Sequence, residues 1–423
     1  MYDALTEYMY VYHTQDGKKS VTHLIGYGDD RTRLIPELEE RQGTGDLVFS
    51  KISKPPAWMA RVKILKALHQ AFVLLYMMFV GLPSPDVILL QIPPAIPTMA
   101  LCIAVSWCRR ARLVFDWHNF AHTLMGYGKQ KSTMVRIAEK YERLLAPYAH
   151  GNLCVTRAMQ QVLKNEYRNT RASVFYDKPV ASIFQGRCSS KTALHVFETL
   201  ASCIEEPMHP VADCGKECLK DCLARCGKTE SPDVNLTTRV LVSSTSWTPD
   251  EDFSILLDAM VQYDALARED ESLPKVLLIV TGKGPQKEQY IEQMKQLDVR
   301  RVAIRTAWLE PEDYPRLLGS ADVGISLHAS SSGVDLPMKV VDMLGSQLPV
   351  CALSYPCLAE EMIHHGKNGL LFTTSSGLTE QLVGMFQFGG EQLKTIQMYI
   401  KDHPFGSWET EWNSHARPVL VVP

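Results

Sequence analysis

The sequence predicts an α/β protein built on two parallel sheets, each covered by helices. Three observations carry that expectation. Short apolar runs alternate with helix-length amphipathic segments through most of the 423 residues, which is the pattern of repeated βα units. One stretch, 185–236, breaks the alternation, which then resumes. At about 150 residues per domain, the length suggests two or three domains.

Each element follows from its local pattern. Residues 21–28 (VTHLIGYG) read as a strand ending in a turn, and 57–80 as a helix. Residues 87–94 (VILLQIPP) form an apolar run stopped by prolines, as a buried parallel strand would. A helix over 97–108 leads to strand 111–119 (ARLVFDWHN), which has polar residues at its carboxyl end. A helix over 133–147 and strands 151–156 and 173–179 complete the first half. Residues 185–236 are rich in Cys, Ser and Glu and hold no convincing strand. Strands at 239–247, 275–284, 301–308, 322–330 and 349–354 then alternate with helices at 251–266, 285–296, 311–319 and 336–344. The expected divisions are a first α/β domain over 1–184, a variable Cys-rich insert over 185–236, a second α/β domain over 237–400, and a C-terminal helix and tail over 401–423. Two such domains facing each other would hold a ligand at their strand ends.

Composition narrows the function. Apolar residues make up 46% and charged residues 22%, ordinary for a soluble globular chain. The 44 basic and 47 acidic residues leave a net charge of −3, without the basic excess of a nucleic-acid binder. Eleven cysteines, an odd number, suit free thiols in a reducing compartment. No signal-peptide pattern opens the chain. The most apolar stretch, 71–82 (AFVLLYMMFVGL), is shorter than the roughly 18 to 20 residues that span a bilayer. With Arg61, Lys63, Lys66 and His69 upstream, it reads either as a core helix or as a helix lying in a membrane interface.

Several motifs can carry chemistry. Residues 330–342 (SSSGVDLPMKVVD) join a strand to a helix. Asp335 is a plausible N-cap and Pro337 suits the first turn. Lys339, with backbone N–H groups of the Ser331, Ser332 and Gly333 loop, forms either a diphosphate site or an ordinary capped helix start. Asp335 and Asp342, seven apart, would share a helical face, where a carboxylate could accept from sugar hydroxyls. The turn TGKGP (281–285) brings Lys283 to a strand end, and SSTSW (243–247) brings Ser244. In the first half, Asp116, His118 and Asn119 close a strand, placed for proton transfer or a sugar hydroxyl, or for simple backbone satisfaction of the histidine. Cys214, Cys218, Cys222 and Cys226 recur every four residues. On a helix they would stretch over about 18 Å, too far for one tetrahedral metal. Asn235 opens a glycosylation sequon by pattern only.

Taken together, these motifs resemble the GT-B glycosyltransferases, two Rossmann-like domains with parallel sheets facing a central cleft. The closer resemblance is to the chitobiosyldiphosphodolichol β-mannosyltransferase family. It rests on LVFDWHNFAHTLMG (113–126), NLCVTRAM (152–159), VFYDKP (174–179), SSTSWTPDEDFSILLDA (243–259), TGKGP (281–285), 308–343 and LPVCA (348–352). It spans about 20–412 apart from the 185–236 insert.

The resemblance implies inverting transfer of mannose from GDP-mannose to dolichyl-diphosphate-linked GlcNAc2, forming a β-1,4 bond at the cytosolic face of the endoplasmic reticulum membrane. It implies no metal cofactor, with Lys339, Lys283 and the 330–336 amides meeting the departing diphosphate. Asp335 and Asp342 then stand where relatives carry paired acidic residues, one residue closer together than usual. The roles implied are catalysis for His118 and Asp335, and donor binding for Ser244, Lys283, Ser331, Ser332, Gly333, Lys339 and Asp342. Asp116 and Asn119 fall on the acceptor side. Partners would be the membrane surface and other mannosyltransferases of lipid-linked oligosaccharide assembly. The family begins with an anchor, a strand and a glycine loop, whereas MYDAL (1–5) looks like the helix after that loop. The alternative expectation is therefore a catalytically impaired relative that binds donor or partner enzymes.

Overall fold

The structure is a computed structural model that describes residues 10–16, 19–27, 40, 42–52, 56, 58, 63–126, 132–168, 171–203, 212–227 and 238–421. The helix expected at 1–5 and the sequon at Asn235 lie outside the described residues. The chain divides into two compact units, Met1–Tyr176 with Glu409–Pro423, and Asp177–Trp408.

The first unit is built on seven strands: β1 (Tyr10–Asp16), β2 (Lys19–Tyr27), β3 (Leu47–Ile52), β4 (Val87–Ile92), β5 (Arg112–Trp117), β6 (Gly151–Cys154) and β7 (Ala172–Val174). Their order is β3-β2-β1-β4-β5-β6-β7. From β4 to β7 the sheet is parallel as expected, with Ile92 opposite Trp117 and Trp117 opposite Cys154. The expectation of an all-parallel sheet fails at β1, which runs antiparallel to both β2 and β4. Two residues separate β1 from β2, too few for the crossover that a parallel pair needs. Asp16-Gly17 is a hairpin signal that the strand assignment from 21 onward passes over.

The Lys63–Tyr76 helix continues into a π-turn over Met77–Gly81. Leu74 and Met78 are buried, while Leu68, Phe72 and Tyr76, spaced four apart, are exposed. One side of this segment thus packs in the core, as the first reading expects, and the other carries an exposed apolar stripe. Among the described residues, no helix is long and apolar enough to cross a membrane.

Residues 401–423 do not act as one tail. From Glu409 onward the chain joins the first unit. There Arg112 Nε donates to the Val419 carbonyl at 2.8 Å and Phe175 meets Trp412 edge-on.

The second unit holds six parallel strands: β8 (Thr238–Ser244), β9 (Lys275–Thr281), β10 (Val302–Ala307), β11 (Val323–Ser326), β12 (Val350–Leu353) and β13 (Gly369–Phe372). The order β10-β9-β8-β11-β12-β13 moves outward from β8, then returns past it. The reversal lies between β8 and β11, so the loops leaving their carboxyl ends diverge and open a crevice.

Each face of this sheet has its own core. One face is covered by the Ser254–Glu269, Lys287–Lys295, Ser375–Phe386 and Glu391–Asp402 helices. The other is covered partly by the Ser190–Cys203 and Ala212–Gly227 helices, which place Val196, Phe197, Leu200, Cys218 and Cys222 against Val240, Leu277 and Ile279. The described residues of the 185–236 stretch therefore form a structural layer of the second unit. Each fully buried large apolar side chain contributes about 1.5–3 kcal/mol, so this layer is integral to the unit. Cys218 and Cys222 are core residues, and Cys226 is half-buried.

Candidate active site

The loops at the carboxyl ends of β8, β9 and β11 bring the expected donor-side residues to one end of one sheet. The first is the SSTSW turn. Trp247 is buried at φ 50°. Its ring packs 4.7 Å from Phe253 and 6.0 Å from Tyr290, and its Nε1 donates to the Gly282 carbonyl at 3.3 Å. The TGKGP turn lies flat against this one. A Cβ on Gly282 would fall 1.8 Å from the Thr245 carbonyl oxygen, and one on Gly284 would fall 1.7 Å from that of Ser246. These glycines thus permit one backbone to rest on another. Lys283 is left at the edge with its Nζ 3.6 Å above the Trp308 ring. Ser244 Oγ is held between Tyr314 Oη (3.0 Å) and Thr281 Oγ1 (3.3 Å).

The second loop, 328–337, differs from its expected geometry. Asp335 does not cap the following helix. That helix spans Met338–Gly345, and the extended Pro337 holds the cap position without a side-chain bond. The Asp335 carboxylate is taken up within the loop instead. Oδ1 accepts from Ser330 Oγ and, at 3.0 Å, from Ser332 Oγ, while Oδ2 lies 3.3 Å from His328 Nε2. Burial pushes this carboxyl up, but bonds from His328, Ser330 and Ser332 outweigh it and hold it below the usual range. Tyr355 Oη anchors the Asp335 carbonyl at 3.0 Å. Gly333 sits at φ 74° with open space where a Cβ would project, and its N–H donates to Ser330 Oγ at 2.7 Å. Because Asp335 lies outside the helix, it does not share a helical face with Asp342.

Lys339, second in the helix, joins the two loops. Its Nζ donates to Ser246 Oγ at 3.1 Å and pairs with Glu251. Glu251 is buried, and its other oxygen accepts from Thr245 Oγ1 and the Ser246 N–H, both at 2.6 Å. The backbone adds a second tie, Ala329 N–H to the Asp250 carbonyl at 3.1 Å. One buried carboxylate therefore fixes both the SSTSW turn and the lysine. Glu251, His328 and Tyr355 have no distinguishing sequence pattern and are absent from the expected set. Asp342 is half-buried on the helix, and desolvation, with a further contribution from Asp177, pushes its carboxyl up to about 8. The shift favours its protonated form near neutral pH.

In the first unit, β5 ends in an oriented histidine. His118 Nε2 lies 3.1 Å from Asp116 Oδ2, with both side chains partly exposed. The His118 N–H donates to the Ile92 carbonyl at 2.9 Å. Asn119 is buried, and its Oδ1 accepts from the Phe120 N–H (2.8 Å) and Thr123 Oγ1 (3.2 Å), so it shapes the turn. A further carboxylate holds the next helix. Glu142, fully buried, accepts from the Ala121 N–H at 2.8 Å and bonds His122 Nδ1 at 2.7 Å. Among the described residues, no group of three or more His, Cys, Asp or Glu could hold a metal ion.

A doubly wound second sheet with a lysine-bearing crevice at its switch point, in a chain that carries another α/β unit, defines a GT-B glycosyltransferase. The structural comparison agrees. A crystal structure of Anabaena Alr3699/HepE in complex with UDP and glucose aligns with TM-score 0.55 at 16% identity, covering 88% of this chain and 86% of that one. Sucrose-phosphate synthase from Thermosynechococcus elongatus aligns with TM-score 0.55 at 12% identity, covering 92% and 86%. Residues 238–387 match the family model for glycosyl transferases group 1.

The chain belongs to the chitobiosyldiphosphodolichol β-mannosyltransferase family. It is 38% identical to the Mus musculus member over 366 residues, 84% of this chain and 74% of that protein. It is 38% identical to the Homo sapiens member over 371 residues, 84% and 77%. It is also 40% identical over 395 residues to the UDP-glycosyltransferase TURAN of Arabidopsis thaliana, 85% and 81%.

Proposed function

We propose that this glycosyltransferase moves mannose from GDP-mannose to a dolichyl-diphosphate-linked GlcNAc disaccharide, forming a β-1,4 bond with inversion at the cytosolic face of the endoplasmic reticulum membrane. The observation that carries the reading is the placement of Lys339. Glu251 holds its ammonium at a helix N-terminus, between the two loops that leave the switch point. A diphosphate bound there meets a preset cation, hydroxyls of the SSTSW turn and loop amides, which stabilise charge as the nucleotide departs. Lys283 adds a second cation at the adjacent strand end. In this reading no metal is required.

On the acceptor side, His118 takes the proton from the attacking sugar hydroxyl, the new C–O bond forms at the mannose anomeric carbon, and GDP leaves with the bonding pair. Asp116 orients the imidazole and stabilises its protonated form. Asp335 acts by shaping the 330–335 loop, since its oxygens are already engaged. Asp342, its carboxyl pushed up by desolvation, contributes packing rather than a full charge.

The acceptor is lipid-borne, and the exposed stripe of Leu68, Phe72 and Tyr76 supports contact with a bilayer surface. The Arg109 guanidinium over the Phe79 ring, 5.4 Å away, and exposed Trp107 beside Tyr148 supply the basic and aromatic groups favoured at lipid interfaces. A UDP-sugar is the second reading for the donor, raised by the name of the Arabidopsis relative. Transfer from GDP-mannose and from UDP-sugars to a phytanyl-diphosphate chitobiose acceptor tests both. Product from GDP-mannose alone supports the proposal. Product from UDP-sugars alone replaces the donor, and no product with GDP-mannose still bound identifies a donor-binding relative without turnover.

A further inference from the structure

The six-stranded sheet has a second polar opening, at the end away from the donor loops. There, where β8 and β11 begin, a cavity of about 310 Å³ is lined by Arg187, Ser190, Arg239, Asp322 and Lys394 among others. That volume is at the low end of the range for small-molecule sites, roughly 300–1,000 Å³. Three cationic side chains face a single carboxylate in this lining.

Arg239 is the most informative of them. It is 7% exposed. Its guanidinium carries five N–H donors, yet among the described residues one acceptor lies within reach, Asp322 Oδ1 at 3.4 Å. Its Nε is buried without a partner among the described residues, and its planar face lies 5.7 Å from the Phe386 ring. The other Asp322 oxygen already accepts from the Val240 N–H at 2.8 Å. A buried guanidinium with one long hydrogen bond is unfavourable unless another acceptor completes its set.

Two further features favour an anion. The Ser190–Cys203 helix, fourteen residues long, begins at the cavity, so its first N–H groups and the positive end of its dipole lie beside it. Gly390, at φ 75°, also lines the cavity, and a Cβ there would fall 2.9 Å from Arg239 Nη2. The absence of a side chain keeps space around the end of the guanidinium.

The geometry points to an anion-binding pocket at the amino-terminal ends of β8 and β11 that takes phosphate or a small diphosphate-bearing molecule. Arg239 forms its floor, and Arg187 and Lys394 form its exposed rim. The pocket is separate from the loops assigned to the donor, which leave the opposite ends of the same strands.

Isothermal titration of the full chain with inorganic pyrophosphate tests this, comparing wild type, the Arg187→Ala/Lys394→Ala double variant and Lys339→Met. Both rim residues are exposed, so the double variant leaves the core intact, which a melting curve without ligand verifies. The expected result is a pyrophosphate site that persists in Lys339→Met and weakens by about tenfold or more in the double variant. Pyrophosphate should also raise the melting temperature of wild type more than that of the double variant. Equal affinity in wild type and the double variant would overturn the proposal. So would loss of binding in Lys339→Met alone, or no binding by wild type.

Discussion

Gly282→Ala tests whether the two glycine-containing turns form one platform. The residue sits at φ 127°, and an added Cβ would lie 1.8 Å from the Thr245 carbonyl oxygen. A carbon–oxygen contact relaxes at roughly 3.3 Å, so the turns must part by about 1.5 Å. The obstacle is backbone, which cannot rotate away as a side chain would. Parting strains the Thr245 N–H bond to the Thr281 carbonyl (2.9 Å), the Gln286 N–H bond to the Trp247 carbonyl (3.0 Å) and the Trp247 Nε1 bond (3.3 Å). Losing one or two of these costs about 1 kcal/mol each, and an L-residue in this conformation adds about 1–3 kcal/mol. The total is about 2–5 kcal/mol, which at about 2–4 °C per kcal/mol for a unit of this size lowers the melting temperature by about 4–20 °C. Differential scanning calorimetry measures it, and donor KM should rise as Ser246 moves away from Lys339. A melting temperature within about 1 °C of wild type, with donor KM unchanged, would refute the packing argument.

Four further outcomes follow from the site. Lys339→Met lowers kcat/KM for the donor by about 10²–10³, read by steady-state kinetics; a change below about threefold removes the lysine from diphosphate binding. His118→Ala lowers kcat by about 10²–10⁴ while leaving donor KM nearly unchanged, and retained turnover eliminates His118 as the base. Asp342 has a folded pKa of about 8, above its unfolded value of 3.8, so the folded state holds one proton more between those values and wild-type stability falls as pH rises through that window. Asp342→Asn removes this contribution, flattening urea-derived stability against pH by about 1.4 kcal/mol per pH unit; parallel curves would show that the acid is charged in the fold. Phe72→Gln/Tyr76→Gln, on the exposed stripe, weakens sedimentation with anionic liposomes without altering the melting curve, and unchanged binding excludes this stripe as the lipid contact.

The sheets were largely legible because buried parallel strands such as β8 and β9 are unbroken apolar runs. The hairpin was not, because β1 (YVYHTQD) is too polar to stand out from a loop. The helices over 190–227 were hidden by composition. Cys218 and Cys222 serve as core residues, whereas the spacing of the four cysteines gives only a stripe along a helix. At the site, position was readable and engagement was not. Asp335 has the spacing of an N-cap, but two serines and a histidine in its own loop compete for its oxygens. Glu251, amid the acidic run TPDED, could not be told from its neighbours. Only tertiary packing shows that it alone is buried beneath Lys339.

The most direct measurement of inverting mannose transfer is the anomeric configuration of mannose in the product formed from GDP-mannose and phytanyl-diphosphate chitobiose, read from the one-bond C1–H1 coupling by NMR. A β-linked mannose on the terminal GlcNAc is the expected result. An α-linked product, or no mannosylated product from a folded chain, would contradict it.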